Sequence, residues 1–409
     1  MIVTRLELTN VRGVEAAEFR FQPGFNLIIG LNGAGKTTAL DGLAQCVGAA
    51  ARLVNGLRAL GSRFDTDDIH GSAPALTVQA DMLIDDLPYT YLHHRPRQSA
   101  IELSDTGGQR NTPTRSEFIG AVPPMATGSR PRPFGLYFST RRAVPVISGR
   151  TGASSRGHEA AFAEAFAHRQ LSIGEFASWI RTRAKLASES SGSARVLEAL
   201  EQAVTRFLPG YSGLRATDEK VPRLLIQRDG TEISVQQLSD GERGILALVL
   251  DLTRRLAQAN PDLYDPAAES TGVVLIDEID LHLHPRWQRE IVSRLPEIFP
   301  CLQFIATTHS PQVIGEVPAD RIQIMGQGPV FSPVHSFGID SSRVLAEIMD
   351  APPRTARIQE QLADLSQRMA TGDLDVARSI IDDLSLKLGY DDPDVLRGRA
   401  TIDYLTDDE

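Results

Sequence analysis

Lysine is scarce in this chain. Of 42 basic residues only Lys36, Lys185, Lys220 and Lys387 are lysines, and the first stands in Gly30-Leu31-Asn32-Gly33-Ala34-Gly35-Lys36-Thr37-Thr38. This is the spacing of a phosphate-binding loop. Glycines let backbone N–H groups wrap an anion, a lysine ammonium reaches the β- and γ-phosphates of a nucleotide, and a threonine hydroxyl holds Mg2+. Gly30, Asn32, Gly33, Ala34, Gly35, Lys36, Thr37 and Thr38 are therefore the candidate nucleotide-binding residues. A helix-like segment begins at Thr38 and turns its N-terminus to the anion. An ordinary strand-to-helix turn would also need glycines, but not this lysine.

Three further stretches carry chemistry. Gln237-Leu238-Ser239-Asp240-Gly241-Glu242-Arg243 opens a helical segment over 244–259. Ser239 with Glu242 three positions later can be a capping box, or the L-S-x-G-E of an ATP-binding-cassette signature. The apolar run Gly272-Val273-Val274-Leu275-Ile276 ends in Asp277-Glu278. A buried parallel strand delivers acids at its C-terminal end, where a neighbouring phosphate-loop strand delivers its ligand. Asp277 is thus the candidate Mg2+-side carboxylate, with Thr37, and Glu278 the candidate for polarising the attacking water. Phe304-Ile305-Ala306-Thr307-Thr308-His309-Ser310-Pro311 is a second such strand. His309 reads either as a γ-phosphate sensor or as a satisfied core histidine. His282 and His284 have the look of a metal pair, but no further Cys or His cluster completes a coordination sphere.

The elements that must position these groups are legible in outline. Residues 2–29 read as three short strands with a turn at Pro23-Gly24. A helix is expected over 39–60, then a hairpin of 76–84 and 89–92 about Asp85-Asp86, a surface loop over 111–133 and a strand over 134–138. Residues 157–208 have helical spacing without sustained heptads. A hairpin follows, turning at Asp229-Gly230. The tail is helical over 355–370, with Ile358, Leu362, Leu365 and Met369 on one face, and over 374–388, with Val376, Ile380, Ile381 and Leu384. Asp373 is expected to cap the second of these helices.

Composition sets outer limits. At 409 residues, 42% hydrophobic and 23% charged, the chain has the make-up of a soluble globular protein. Cys46 and Cys301 are its only cysteines, which excludes a disulfide framework and fits a cytoplasmic setting. The N-terminus has no signal-peptide pattern and no apolar run reaches membrane-spanning length, so no membrane is expected. The net charge of −10 is uneven. Over 106–158 there are Arg110, Arg115, Arg130, Arg132, Arg141, Arg142, Arg150 and Arg156 against Glu117 alone, a candidate nucleic-acid surface or a solvated loop. The tail from Asp340 is acidic.

Taken in order, the phosphate loop, the signature, the acid pair and the strand ending in histidine resemble the ATP-binding-cassette ATPases, in the branch that includes SMC proteins, RecF and the OLD-type ATPases. More narrowly, Asp277 to Gln288, Tyr137-Phe138-Ser139-Thr140-Arg141-Arg142 and Phe337-Gly338-Ile339-Asp340-Ser341-Ser342 resemble compact bacterial ATPases of antiphage defence, the Septu and retron-associated type. The resemblance covers roughly residues 1–350. It implies an α/β P-loop fold in which a mixed β lobe joins a parallel-sheet core, with a short helical insert and a helical C-terminal tail. The expected segments are 1–150 for the first lobe, 151–212 for the insert, 213–335 for the second lobe and 336–409 for the acidic extension. ATP and Mg2+ are the implied ligands. A homodimer, or a higher oligomer, is implied, with Ser239, Gly241 and Glu242 of one copy capping the nucleotide of the other, and Lys36, Glu278 and His309 serving hydrolysis. DNA repair of the RecF kind is the alternative role, with a transporter subunit behind it. Cassette ATPases carry a Q-loop glutamine on Mg2+; residues 138–142 occupy that region and contain none. The tail lacks the alternating strands of an OLD-type nuclease, so a separate effector subunit, a nuclease, is expected to dock on the tail's apolar faces and its acidic end, 391–409.

Overall fold

The computed structural model describes residues 1–57, 63–97, 101–103, 109–111, 114–125, 131–143, 158–168, 170–188, 191–326 and 328–407. They form two compact units, Met1–Asp340 and Ser341–Glu409.

In the first unit β1 (Ile2–Val11) and β2 (Val14–Arg20) form an antiparallel hairpin. β3 (Phe25–Gly30) leads through the glycine-rich loop into α1 (Lys36–Val54). β4 (Ala75–Ile84) and β5 (Leu87–Pro96) turn through Asp85 and Asp86 at φ 52° and 64°, the two left-handed residues of a tight hairpin. Then come β6 (Ile101–Leu103), β7 (Gln109–Asn111), β8 (Arg115–Ile119) and β9 (Phe134–Phe138). The helical insert supplies α2 (Glu159–Phe162), α3 (Ile173–Leu186) and α4 (Ser191–Phe207). β10 (Tyr211–Ala216), β11 (Leu224–Arg228) and β12 (Thr231–Ser234) follow, then α5 (Asp240–Ala259) and α6 (Pro266–Glu269). The unit is completed by β13 (Gly272–Ile276), α7 (Pro285–Ile298), β14 (Leu302–Thr307), α8 (Pro311–Ile314) and β15 (Ile322–Met325).

Two five-stranded sheets organise this unit. One runs β2-β1-β4-β5-β8 and is antiparallel; the other runs β15-β3-β14-β13-β9 and is parallel. Every residue of β13 and β14 is buried, which is why both read as unbroken apolar runs rather than alternating ones. The polar exceptions in β14 are Gln303 and, at its end, Thr307. The Gln303 amide accepts from the Val3 N–H and donates to the Val3 carbonyl, both at 2.8 Å, so a side chain continues the ladder from one sheet to the other. An antiparallel lobe joined to a parallel core, with the glycine-rich loop between β3 and α1, is the α/β P-loop arrangement expected.

Two local expectations need correction. Residues 111–133 are not all loop, because β8 pairs with β5 at the sheet edge. It is almost wholly exposed, so it lacks the apolar alternation that marks a strand. The helix after the phosphate loop ends at Val54, where the Asn55 side-chain N–H donates to the carbonyls of Ala51 (2.6 Å) and Pro133 (2.9 Å); residues 58–60 of the expected span lie outside the described residues. No helix among the described residues is long and apolar enough to cross a membrane.

The second unit contains α9 (Ser341–Arg343), α10 (Ala356–Thr371), α11 (Leu374–Leu388) and α12 (Pro393–Asp407). Leu365, Ala377, Ile381, Leu384, Val395 and Ile402 are buried together, with Ile358, Leu362, Met369, Ile380 and Leu388 against them. Val376 apart, which stays exposed, these include the residues of the faces expected to receive an effector. They close on one another instead, because a third helix is present where only an acidic end was expected. Its start is written in Asp392-Pro393: the Asp392 carboxylate accepts the Asp394 and Val395 N–H groups at 3.0 and 3.4 Å, and proline suits the first helical turn. Asp373, expected as a cap, makes no capping bond and accepts from Arg368 at 3.2 Å. Leu384→Ala should cost this unit about 2–5 kcal/mol by opening a cavity. Hydrogen exchange should then show α10, α11 and α12 losing protection together while β13 and β14 keep theirs.

Candidate nucleotide-binding site

β3 delivers the chain to Gly30, whose φ is 155° and where a Cβ would lie 2.4 Å from the Met325 carbonyl oxygen. Only glycine admits that approach by β15. Gly33 and Gly35 take left-handed values, φ 80° and 108°, and Gly35 sits directly before α1. The Lys36 ammonium lies back across the loop, donating to the carbonyls of Gly30 (2.9 Å) and Leu31 (3.0 Å). Burial lowers its pKa, and the attraction of Asp277 and Glu278 only partly opposes this. Beside the loop is a cavity of ≈ 700 Å³ whose lining includes Thr9, Gly13, Val14, Ala34 and Met325.

The parallel register of β13 and β14 sets Ile276 opposite Ala306, so Asp277 and Glu278 leave their strand beside Thr307. The Thr307 hydroxyl donates to Asp277 Oδ1 at 2.7 Å and accepts the Glu278 N–H at 2.7 Å. The other oxygen of Asp277, Oδ2, accepts from the Thr37 hydroxyl at 3.2 Å. One carboxylate thus ties the first turn of α1 to the ends of two core strands. Hydroxyl and carboxylate oxygens of this kind are a donor set suited to Mg2+. Glu278 itself is held at φ 47°, a left-handed conformation that costs a non-glycine residue about 1 kcal/mol.

Asp280 Oδ1 accepts from the Thr308 hydroxyl at 2.6 Å and from the His309 N–H at 3.4 Å. Gln288 of α7 donates to the Leu283 carbonyl at 2.9 Å and accepts from the Ser310 hydroxyl at 2.8 Å. The turn after the acid pair and the turn after β14 are therefore one hydrogen-bonded body, and His309 stands in it. His284 caps α7, its Nδ1 accepting the Arg286 N–H at 3.3 Å. Among the described residues no group of three or more His, Cys, Asp or Glu is placed to hold a metal ion.

The signature residues form a second cluster at the start of α5. Ser239 Oγ accepts the Glu242 N–H at 3.3 Å and Glu242 Oε2 accepts the Ser239 N–H at 2.9 Å, so both bonds of a capping box exist. Glu242 Oε1 also accepts from the Tyr211 hydroxyl at 2.8 Å. Burial pushes the Glu242 pKa up, but the Ser239 and Tyr211 bonds outweigh it and the group lies below its ordinary value. A Cβ on Gly241 would meet the His282 carbonyl oxygen at 2.6 Å, so glycine is required by the close passage of that loop.

Two functional candidates escaped the sequence reading. Thr307 was only the end of an apolar strand, and nothing local marks its hydroxyl as the bridge. Arg142 was counted in the basic segment, yet it is 5% exposed and bonds to the backbone of Asp277 and Glu278. It is not available to a nucleic acid. Of the rest of that segment, Arg115 pairs with Glu117 and Arg141 donates to the His168 carbonyl at 3.4 Å; Arg130, Arg150 and Arg156 lie outside the described residues.

Residues 146–315 match the family model "AAA domain, putative AbiEii toxin, Type IV TA system", and residues 5–81 match a second, "AAA domain". Two AAA-domain models thus match separate stretches of the chain, one around the phosphate loop and one around the acid pair. "Retron Ec83 probable ATPase" of Escherichia coli is 38% identical over 228 residues, 54% of this chain and 41% of that protein. The chain thus spans about two fifths of that relative's length. "Septu protein PtuA" of Bacillus thuringiensis is 23% identical over 332 residues, 80% of this chain and 76% of that protein. Among solved structures, the SMC head domain from Thermotoga maritima aligns at 15% identity and a TM-score of 0.45, covering 81% of this chain and 99% of that one.

The Thr307 bridge predicts its own weak point. Thr307→Val leaves the buried Asp277 carboxylate and the half-buried Glu278 N–H each one partner short, so the fold should lose about 1–3 kcal/mol. Thr307→Ser should restore most of it. Denaturant unfolding of the three proteins measures both.

Proposed function

We propose that this chain binds Mg2+–ATP at the Lys36–Asp277 site and hydrolyses it, working as an ATP-clamped homodimer that controls a separate effector, a nuclease, in bacterial antiphage defence. The observation that carries the reading is the Asp277 carboxylate, bonded to Thr37 in the phosphate loop through one oxygen and to Thr307 through the other.

The backbone N–H groups of residues 33–38 and the Lys36 ammonium bind the phosphates, Lys36 exchanging its two carbonyl acceptors for phosphate oxygens. Thr37 and Asp277 would hold Mg2+, which when bound neutralises charge on the phosphoryl oxygens. Glu278 accepts a proton from, and so orients, the attacking water. His309, fixed through its backbone to Asp280, faces the γ-phosphate. The cavity at Ala34 and Met325 has room for the nucleoside. Ser239 and Gly241 begin a different helix, and Ser239 is exposed; they act on the nucleotide of a second copy. The likeness to the retron and Septu proteins supports the defence role.

Lys36→Ala should lower ATP affinity by at least about 100-fold, whereas Glu278→Gln should bind ATP normally and turn it over about 100-fold more slowly. Fluorescent-nucleotide titration and phosphate release separate the two. Wild-type turnover in Glu278→Gln would remove Glu278 from its role.

Ser239→Arg should bind ATP yet neither dimerise nor hydrolyse it. Mixed with Lys36→Ala it can form dimers holding one intact composite site, so phosphate release should reappear on mixing. Silence at every ratio, with mixed dimers present by sedimentation, would count against a signature acting between copies.

A further inference from the structure

Residues 138–142 stand where the cassette resemblance calls for a glutamine, and what the chain puts there instead is a buried guanidinium. Arg142 Nη1 donates to the carbonyls of Asp277 (2.5 Å), Ser139 (3.1 Å) and Phe138 (3.4 Å), and Nη2 donates to the carbonyl of Glu278 at 2.8 Å. All of these acceptors are backbone. They arise because β9 and β13 run parallel side by side: past the last rung, marked by the Asp277 N–H on the Phe138 carbonyl at 2.9 Å, the carbonyls of both strand ends have no further strand to meet. A planar fork with five N–H groups can serve them together. Burial lowers the Arg142 pKa to about 10, with Asp277, Asp280, Tyr137 and Glu278 opposing the fall, so the guanidinium stays charged at neutral pH.

The placement matters most at Glu278. Its N–H is held by Thr307 Oγ1, its carbonyl by Arg142 and by the Leu281 N–H at 3.0 Å, and the following N–H, of Ile279, by the Thr307 carbonyl at 2.9 Å. The peptides on both sides of the Glu278 Cα are therefore fixed, and between them the residue is kept at φ 47°. A strained conformation of this sort persists only when its surroundings over-determine it. With one hold released, the backbone can relax to the right-handed region, and the side chain swings with it.

We infer that Arg142 is a positioning residue for hydrolysis: by holding the carbonyls of Asp277 and Glu278 it locks the left-handed turn at Glu278 and so fixes the direction of the Glu278 carboxylate. This rests on the reading of Glu278 as the group that orients water. Arg142 touches neither nucleotide nor water in this scheme, and its effect passes entirely through Glu278. Lysine cannot replace it, since one ammonium is a single point of donation and cannot span two consecutive carbonyls in the plane of a fork.

The test is a double-mutant cycle on the full chain. Arg142→Lys and Glu278→Gln are made singly and together, with fluorescent ATP-analogue binding and Mg2+-dependent phosphate release measured on each. Arg142→Lys should keep nucleotide affinity within about threefold of wild type and lose about 10- to 100-fold in kcat, the scale of a misplaced catalytic group. In the Glu278→Gln background the same substitution should cost nothing further. An unchanged kcat in Arg142→Lys overturns the inference, as does a loss that multiplies with that of Glu278→Gln. Loss of binding in step with turnover also overturns it, by making Arg142 a general support of the fold. Wild-type turnover in Glu278→Gln alone would instead strike the underlying reading of Glu278, and is distinguishable because it does not involve Arg142.

Discussion

The Asp277 carboxylate is the point on which the site depends. It has one oxygen on the first turn of α1 and the other on the end of β14, while its own backbone closes β13 against β9. Three core strands and the phosphate-loop helix are thereby referred to one group. In a buried setting such a carboxylate is tolerable only with its lone pairs engaged, and the two threonines engage them. The phosphate loop and the acid pair are separated by some 240 residues of sequence. What brings them together is the crossover order of the parallel sheet, with β14 between β3 and β13.

Much of this was legible because the relevant signals are local. The phosphate loop is nine contiguous residues, the buried strands are unbroken apolar runs, and the hairpins turn at Asp-Asp and Asp-Gly pairs. The illegible parts are those where a side chain is claimed by something distant. Arg142 sits among arginines and looks like surface charge until the strand ends it serves are placed around it. Thr307 and Gln303 look like ordinary interruptions of an apolar strand, although one bridges the acid pair and the other bridges two sheets. Periodicity reports which face of a helix is apolar but not what covers it. The faces of α10 and α11 pointed outward in a reading that lacked α12, and the signal for α12 was a single Asp-Pro step.

The signature shows how two readings of one motif can coexist. Ser239 and Glu242 form the reciprocal bonds of a capping box, and that alone would explain their types and spacing. It does not explain Gly241, whose Cβ position is taken by the His282 carbonyl, nor the Tyr211 hydroxyl on Glu242. The start of α5 is thus located from three sides, by its own cap, by β10 and by the loop that follows the acid pair. A helix N-terminus anchored in this way can present backbone N–H groups to an anion without first having to be ordered.

The Gln303 amide has a mechanical meaning. Sheets packed through apolar side chains alone can slide a little, since one methyl contact replaces another at small cost. An amide paired with both the N–H and the carbonyl of Val3 has no such neighbour to move to, and any shear between the antiparallel lobe and the parallel core must break both bonds at once. The two layers should therefore respond to load as a single stiff plate, with compliance displaced to the segments that leave it.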